Sequence, residues 1–387
     1  MKKSIYILLF TILVSCQDDV HNLITEETVI DVDDRFLKFN SFQEFEKLCA
    51  DFNQKDFEYY KDWHDKQSEF VSLKYVYEKL VEVENKFLEE LALKYGENAP
   101  LTRQDIGYTK QSQKFLDLGS VFIDDYEILD MNVSIPLYAY LVNADGIVQI
   151  DGKIYQLKKD KIKVIADGDA SKIGLLKSTD TASKELQIEV SEVIGTSKVI
   201  EDTGRKMANT SCESIVGSYR LIAYEVVRLG PDESYCGSGL HYYFRLRSLK
   251  KILGTWQNHK TNYLKIRSDN VVINHYKYPY NTEYDRNTYQ VLNNLVNEVN
   301  VVHDLPYGHT AEYYYLYNYY YCHLHQPTVV PENYCASVYL WSAHVTAFGK
   351  NGTTCQLGAG DTNWEISGEY CHCPFPDYYG CQNAIYN

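Results

Sequence analysis

The length, composition and charge of the chain limit what it can be. Its 387 residues are enough for two domains that each bury a core. The hydrophobic fraction, 45%, is typical of a globular protein. The formal net charge of −15 argues against nucleic acid and anionic lipid surfaces as partners.

The charge is unevenly distributed along the chain. Residues 17–211 contain 24 Lys+Arg and 38 Asp+Glu, a net charge of −14. From residue 212 onward the numbers are 12 and 15, a net charge of −3. Two compositions on one chain predict two domains. The predicted organisation is a lipoprotein signal peptide (1–15), an acidic flexible tether (16–34), a helical domain with a β-hairpin (35–195), a linker (196–211) and a Cys/Tyr-rich β domain (212–387).

The first residues, MKKSIYILLFTILVSC, predict export. Two lysines precede an apolar segment of about ten residues, which is too short to span a bilayer and is typical of a signal peptide. The Leu-Val-Ser-Cys ending resembles the bacterial lipobox, in which the signal is cleaved before a cysteine that then receives lipid. This resemblance implies that Cys16 carries acyl chains, palmitate among them, and anchors the protein to a membrane. An ordinary secretory signal with an incidental cysteine is the alternative.

Gln17-Asp18-Asp19 follows the lipobox directly. It resembles the acidic export tag that directs lipoproteins of the Bacteroidota to the outer face of the outer membrane. The resemblance implies a lipid-anchored outer-membrane protein that faces the cell exterior. A lipoprotein that faces the periplasm is the alternative.

The first predicted structural elements are helices. Ser41 with Glu44 indicates a capping box at a helix start. A longer helix is predicted to begin near Ser72 and to end at Gly96 and Pro100. The apolar stripes predict a helical hairpin or small bundle, and a partner-binding coiled coil is the alternative. The stripe of the longer helix is Leu73, Val76, Leu80, Val83, Phe87 and Leu91.

A β-hairpin is predicted after the helices. Alternating runs at 147–150 and 153–157 flank Asp151-Gly152, the strongest two-residue turn signal. The Phe-Val-Ser-Leu segment at 70–73 and the hairpin's Asn-x-Asp-Gly-x-Val-x-Ile-x-Gly-x-x-Tyr pattern resemble uncharacterised cell-surface lipoproteins of the Bacteroidota. That family is known as a domain of unknown function. The match extends over residues 1–165. It implies a location at the cell surface and a fold architecture, and it identifies no catalytic residue.

The remainder of the chain is predicted to be mainly β. Runs rich in β-branched and aromatic residues predict strands, and Asn351-Gly352 predicts a second hairpin turn. One segment, 245–253, is predicted to be a helix. The fold class is therefore α+β, with a helical hairpin or bundle and a β-hairpin followed by a disulfide-rich, sandwich-like β domain. The predicted strands are 218–228, 271–276, 299–302 and 338–348.

The cysteines of the second predicted domain indicate disulfides. Cys16 belongs to the lipid, and Cys49 is predicted to be a buried free thiol. The other eight cysteines lie in one predicted domain of an exported chain, which indicates up to four disulfides among 105 possible pairings. They are Cys212, Cys236, Cys322, Cys335, Cys355, Cys371, Cys373 and Cys381.

A metal site is the alternative for some of these cysteines. Cys322 with two nearby histidines, and Cys371-His372-Cys373, together offer thiolate and imidazole ligands. Their spacing differs from the C-x₂₋₄-C and H-x₃₋₅-H patterns of zinc sites. We therefore expect no metal and no cofactor.

A dense tyrosine run, EYYYLYNYYYCHLHQ at 312–326, is the main candidate for a ligand site. In a strand, alternate residues lie on one face and are ~6.8 Å apart. Tyrosine combines an apolar ring with a polar hydroxyl, so such a face suits sugar rings or a protein partner. Cross-strand aromatic pairing, or rings that cover a second sheet, is the alternative. The candidate face is Tyr313, Tyr315, Tyr317, Tyr319, Tyr321, His323 and His325.

The sequence does not identify a reaction. The H-E-x-x-H, G-x-S-x-G and P-loop patterns do not occur in it. The favoured hypothesis is a lipid-anchored surface protein that binds a polysaccharide or another surface protein without catalysis. An exported hydrolase of unknown chemistry and a structural component of the envelope are the alternatives.

Overall fold

The computed structural model describes most of the chain from residue 35 to residue 371. Cys16, the predicted signal peptide, the predicted tether and residues 196–210 of the predicted linker lie outside the described residues. Residues 35–192 are called the first region below, and the described residues from 211 to 371 the second region. The described residues are 35–53, 55, 57–67, 69–96, 99, 101–192, 211–230, 239–259, 261, 264–279, 290–298, 301–304, 312–320, 334–357 and 368–371.

The longest helix of the first region begins and ends at the residues that the sequence indicates. It starts after Ser72, whose side chain accepts a hydrogen bond from the Tyr75 N–H at 3.0 Å. It ends at Gly96, where φ is 90° and the N–H donates to the Ala92 carbonyl. The predicted long helix is therefore confirmed. The α-helices are α1 (Phe42–Asn53), α2 (Phe57–His64), α3 (Leu73–Tyr95), α4 (Arg103–Ile106) and α5 (Lys110–Asp117).

The predicted capping box of α1 is half formed. The Glu44 N–H donates to Ser41 Oγ at 3.2 Å, as predicted. The Glu44 carboxylate, however, accepts from the Asn40 N–H at 3.0 Å. It reaches one residue further back than the reciprocal bond of a capping box requires.

The predicted hairpin is confirmed and belongs to a larger sheet. Asp151 and Gly152 both have positive φ, 49° and 76°, as the tight two-residue turn requires. Among the described strands five form this sheet, in the order β1-β4-β5-β6-β7, with β1 parallel to β4. β2 and β3 pair separately. The strands are β1 (Lys38–Phe39), β2 (Val121–Ile123), β3 (Leu129–Met131), β4 (Ile147–Ile150), β5 (Lys153–Leu157), β6 (Lys161–Ile165) and β7 (Ile188–Glu192).

The stripe of α3 is buried inside the protein except at Val83, which is partly exposed. Its first half contributes Leu73, Val76 and Leu80 to the main apolar core, which α1 and β5 also line. Phe87 and Leu91 belong to a second cluster together with residues of the second region. The stripe therefore forms core contacts, which is the more common use of such a pattern.

The second region is built from long strands in two sheets. One has the order β11-β10-β9-β8, with β15 also paired to β10; the other has the order β13-β12-β16-β17, with β14 paired to β12 and β18 to β16. The strands are β8 (Ser211–Val216), β9 (Tyr219–Gly230), β10 (Gly239–Ile252), β11 (Thr255–Asn258), β12 (Lys265–Pro279), β13 (Gln290–Glu298), β14 (Val301–Asp304), β15 (Glu312–Tyr320), β16 (Tyr334–Phe348), β17 (Thr354–Leu357) and β18 (Gly368–Cys371).

The prediction of a helix at 245–253 is wrong, because this segment belongs mainly to strand β10. Leu246, Leu249 and Ile252 recur at helical spacing, which is why the local pattern indicates a helix. β10 pairs with β9 along one edge and with β15 and β11 along the other. These long-range backbone hydrogen bonds override the local preference.

A disulfide joins the edges of the two sheets. Cys212 of β8 is bonded to Cys355 of β17, with the two Cα atoms 5.7 Å apart. Next to it, the Thr354 N–H donates to Ser214 Oγ at 3.2 Å. The predicted turn at Asn351-Gly352, with φ of 57° and 75°, connects β16 to β17. The chain is therefore an α+β protein with a disulfide in its β part.

Candidate functional site

The tyrosine run forms a strand, as predicted. β15 covers residues 312–320 and pairs antiparallel with β10 without a register shift. Among the described strands β10 is its one neighbour, so β15 lies at an edge of the sheet. Three members of the candidate face, Tyr321, His323 and His325, lie outside the described residues.

The register aligns the odd-numbered tyrosines with apolar and aromatic positions of β10. Directly opposed residues of an antiparallel pair share one face of the sheet. The opposed pairs are Tyr313 with Leu246, Tyr315 with Phe244, Tyr317 with Tyr242 and Tyr319 with Leu240.

The opposite face of β10 carries two arginines that bind the first region. Arg245 and Arg247, which alternate with Leu246 along β10, form ion pairs with Asp130 and Asp124. Since neighbouring residues of a strand lie on opposite faces, the odd-numbered positions of β15 belong to the face opposite these arginines. This second face is called the tyrosine face.

The tyrosine face is turned towards the second sheet at one end. Ala223 is opposed to both Leu246 and Cys212 in the register, and Cys212 is bonded to the second sheet. Leu246 is fully buried. The Tyr313 end therefore lies near a sheet-to-sheet contact, which favours the packing alternative there. Tyr317 and Tyr319 lie further along the strand, and their role as a ligand face stays a prediction.

A buried bidentate ion pair holds the two regions together. Both Arg245 terminal nitrogens donate to the Asp130 carboxylate, at 2.7 and 2.8 Å. Both residues are about 6% exposed. Asp130 lies on β3 and Arg245 on β10, so the pair joins residues 115 positions apart. Arg247, which is 1% exposed, forms an ion pair with Asp124 through one guanidinium nitrogen, Nη1.

Asn258 of β11 forms further hydrogen bonds at the contact between the two regions. Its Nδ2 donates to the Tyr77 hydroxyl at 2.9 Å and to the Leu129 carbonyl at 3.2 Å. Its Oδ1 accepts from Arg247 at 3.1 Å, and its backbone carbonyl accepts from Asn85 at 2.9 Å. One buried side chain thus contacts α3, β3 and β10, because an amide both donates and accepts.

A second buried ionic cluster lies at the same contact. Glu84 forms an ion pair with Arg103, with Oε2 2.6 Å from Nη2, and its Oε1 accepts hydrogen bonds from the Thr109 N–H and hydroxyl at 2.9 and 2.8 Å. Arg103 also donates to Gln257 of β11 at 3.0 Å. Tyr108 lies against the Arg103 guanidinium, at 4.3 Å. Burial raises the pKa of Tyr108 to about 12, and the nearby Arg103 opposes this shift.

Sequence reasoning missed Arg245 and Arg247 because it treated their segment as a helix. A signal was present: in YYFRLRSL, arginine alternates with apolar residues at period two, which is typical of a strand with two different faces. Their partners Asp124 and Asp130 carry no local signal, since they meet the arginines only after the chain folds.

A buried histidine lies where α2 approaches the start of α3. The Ser72 N–H donates to His64 Nε2 at 3.2 Å, and Ser72 Oγ also hydrogen-bonds the Tyr60 hydroxyl. The imidazole stacks on Tyr75, with ring centroids 4.3 Å apart and planes at 5°. Burial lowers the pKa of His64, and the neighbouring Asp65 raises it in part. The neutral form is therefore the one that accepts the hydrogen bond from Ser72, the N-cap residue of α3.

The cysteines of the described part of the chain divide into three groups. Cys212 and Cys355 form a disulfide, and Cys49 is a buried free thiol, as predicted. Cys335 and Cys371 lie on paired strands. Cys236, Cys322, Cys373 and Cys381 lie outside the described residues. Within the described part of the chain, no group of three or more His, Cys, Asp or Glu residues is arranged to hold a metal ion.

Comparison with known proteins adds no argument about the fold or the function. No family model and no curated protein matches this sequence. A solved structure of a DUF4848 family protein from Bacteroides thetaiotaomicron is similar at 13% identity and a TM-score of 0.24, covering 83% of this chain and 96% of that one. Both values are low, so this similarity carries no argument about activity. Among the described residues, no helix is both long enough and apolar enough to cross a membrane.

Proposed function

We propose that this chain is a lipid-anchored protein of the outer membrane that faces the cell exterior and binds a glycan or a surface protein without catalysis. The observation that carries the proposal is the row of tyrosines at alternate positions of β15, at a sheet edge. The lipobox that ends at Cys16 supports the anchor, and the acidic residues after it support surface display.

The contacts between the two regions support a rigid platform for binding. Asp130 and Asp124 are held by arginines of β10, and β10 is the strand next to β15. The Arg245–Asp130 pair is bidentate, and such a pair fixes orientation as well as distance. A rigid edge strand loses less entropy when it binds a ligand, which favours affinity.

The anchor is tested by replacing Cys16 with Ala. Signal cleavage and lipid attachment both need the cysteine, so the variant is expected to be either uncut, with its signal peptide retained, or freely soluble. The wild-type chain, treated in parallel, is expected to be cut and to stay in the detergent phase and the membrane fraction. A variant that is cut and partitions like the wild type would contradict the anchor. Protease added to intact cells tests surface display, and complete protection would indicate a periplasmic orientation.

The binding site is tested by a glycan-array screen with residues 17–387. If a glycan is retained, the variant with Tyr317→Ala and Tyr319→Ala is expected to lose binding, because both tyrosines belong to the tyrosine face. The matched control carries Tyr314→Ala and Tyr320→Ala, which removes two tyrosines of the same strand from the opposite face. Stacking on an aromatic ring contributes ~0.5–1.5 kcal/mol beyond its buried area, so two rings suffice for a measurable loss.

The outcome depends on the difference between the two variants. Loss of binding in the Tyr317/Tyr319 variant alone, with an unchanged unfolding midpoint, supports the proposal. Loss in both variants, or loss together with a lowered midpoint, would show that the tyrosines serve packing. If no glycan is retained, the same two variants are compared in cross-linking to neighbouring surface proteins on intact cells, and equal cross-linking would contradict the proposal.

A further inference from the structure

We infer that Cys335 and Cys371 form a second disulfide, which joins strand β18 to strand β16. The two strands pair antiparallel, and the register opposes Cys335 directly to Cys371. The inference rests on the exported location in the proposed function, because disulfides persist in oxidising compartments.

The register supplies the geometry that a disulfide needs. Directly opposed residues of an antiparallel pair have Cα atoms about 4.5 or about 5.5 Å apart, depending on the hydrogen-bonding position. Disulfides span Cα distances of about 4.4–6.8 Å, so either position is compatible. The disulfide that the structure contains, Cys212–Cys355, has a Cα distance of 5.7 Å.

The pairing of the surrounding strand residues keeps the two cysteines opposed. The register is continuous from Cys335–Cys371 to Val338–Gly368, so four consecutive residue pairs hold β18 against β16. β16 also pairs with β12 along its other edge, with Tyr278 opposed to Cys335. A slip of one residue would move every β18 residue to the other face, and the paired sheet resists such a slip.

The bond forms by thiol–disulfide exchange with an oxidant of the compartment, a disulfide-containing oxidoreductase or oxidised glutathione. One S–S bond forms between Cys335 and Cys371, and the S–S bond of the oxidant breaks. The two electrons and two protons of the thiols pass to the oxidant, which leaves as two thiols.

This pairing restricts the remaining cysteine chemistry. Together with Cys212–Cys355 it leaves Cys236, Cys322, Cys373 and Cys381, which allow three pairings in place of the original 105. It also removes Cys371 from the metal-site alternative that pairs Cys371-His372-Cys373 with Cys322 and its histidines.

The experiment is peptide mapping of the full chain, extracted in detergent from the bacterium that makes it. Free thiols are alkylated before a chymotryptic digest, which cleaves between Cys322 and Cys335 and between Cys355 and Cys371. The expected product is a cross-linked pair of peptides, one with Cys335 and one with Cys371 and Cys373, lighter by two hydrogen masses than the separate thiol peptides. Reduction is expected to abolish it.

Two variants identify which cysteine is bonded. Cys371→Ser is expected to abolish the cross-linked pair, whereas the matched control Cys373→Ser, two residues away, is expected to retain it. The reverse result, or a Cys335 peptide joined to any other cysteine, overturns the inference. The Cys212–Cys355 peptide pair reports in each sample that the β part has folded.

A second arm separates this inference from the proposed location. The extracted protein is reduced and then reoxidised in a glutathione buffer. A chain that has only free thiols in the cell but forms the Cys335–Cys371 pair on reoxidation contradicts the exported location and supports the pairing. A chain that forms Cys212–Cys355 in both arms but never Cys335–Cys371 contradicts the pairing and supports the location.

Discussion

The two regions of this molecule are stabilised in different ways. The first region packs aromatic and aliphatic side chains of α1, α2, α3 and β5 into one continuous core, and its cysteine, Cys49, is a buried thiol whose pKa burial raises. In the second region a covalent bond between Cys212 and Cys355 joins two sheets. Apolar burial suffices where helices and a sheet form a large core, whereas long, tyrosine-rich strands gain from a cross-link that restricts the unfolded chain.

The contact between the regions brings opposite charges together. The acidic first region supplies Asp124 and Asp130, and the more neutral second region supplies Arg247 and Arg245. Both arginines are buried, so the first region supplies the partner of each charge that the second one buries.

The largest effect is expected from Asp130→Ala, which removes the buried ion pair with Arg245 between the two regions. The variant leaves the Arg245 guanidinium buried without its carboxylate, so the free energy of unfolding is expected to fall by about 3–5 kcal/mol. Urea unfolding monitored by fluorescence measures this loss. The matched control replaces both partners by apolar residues, Asp130→Leu with Arg245→Met, and is expected to cost less than the single change. If Asp130→Ala is at least as stable as this double variant, the role assigned to the ion pair is contradicted.

The next effect concerns the disulfide of the second region. Replacing Cys212 and Cys355 by Ser frees two residues that are 143 positions apart and is expected to cost ~2–4 kcal/mol. Reduction breaks the Cys212–Cys355 disulfide and should lower the wild-type unfolding midpoint. The double variant lacks this disulfide, so reduction should not cause the same decrease in its midpoint. Cys49→Ser, in the first region, is the control that removes a thiol without removing a cross-link. Equal loss in the two variants would show that the regions do not differ as described.

A comparable effect is expected inside the first region at Gly168. A Cβ atom there would lie 1.9 Å from the Gly152 carbonyl oxygen, and φ is +66°. Gly168→Ala therefore combines strained backbone with overpacking and is expected to cost about 3 kcal/mol. Gly119→Ala is the matched control, because φ is +67° and no atom lies within 4 Å of its added Cβ. Its cost is expected to be about 1–2 kcal/mol, in the same unfolding assay. Equal costs would contradict the close approach of Gly168 to the hairpin.

The smallest effect concerns pH and His64. Its pKa in the folded chain is lowered below the ordinary 6.5, so below pH 6.5 the unfolded chain binds a proton that the folded chain does not. The stability is therefore fully present above that pH and decreases as the pH falls towards the lowered pKa, by no more than about 1.4 kcal/mol per pH unit. Unfolding midpoints between pH 7.5 and 5 are compared for wild type and His64→Gln, whose amide oxygen can still accept from Ser72. Parallel curves would exclude His64 as the source.

Local signals predicted those parts of the fold that depend on short stretches of chain. The start of α3 at Ser72, its end at Gly96 and the hairpin turn at Asp151-Gly152 are each fixed by residues within four positions. The β10 segment was mistaken for a helix because its leucines fit helical spacing and its strand partners are remote. Of the candidate ligand face, the strand assignment of β15 is confirmed; its function stays a prediction.

The sequence by itself determined the fold class, the long helix, the first hairpin, the tyrosine strand and the buried thiol of Cys49, because side-chain periodicity, capping and turn chemistry are local properties. Only the tertiary structure decided which cysteine pairs with Cys212, which carboxylates meet Arg245 and Arg247, and which residues oppose the tyrosines. Each of these depends on contacts between residues that are far apart in the chain. Such contacts form only when the whole fold closes, so no short stretch of the sequence encodes them.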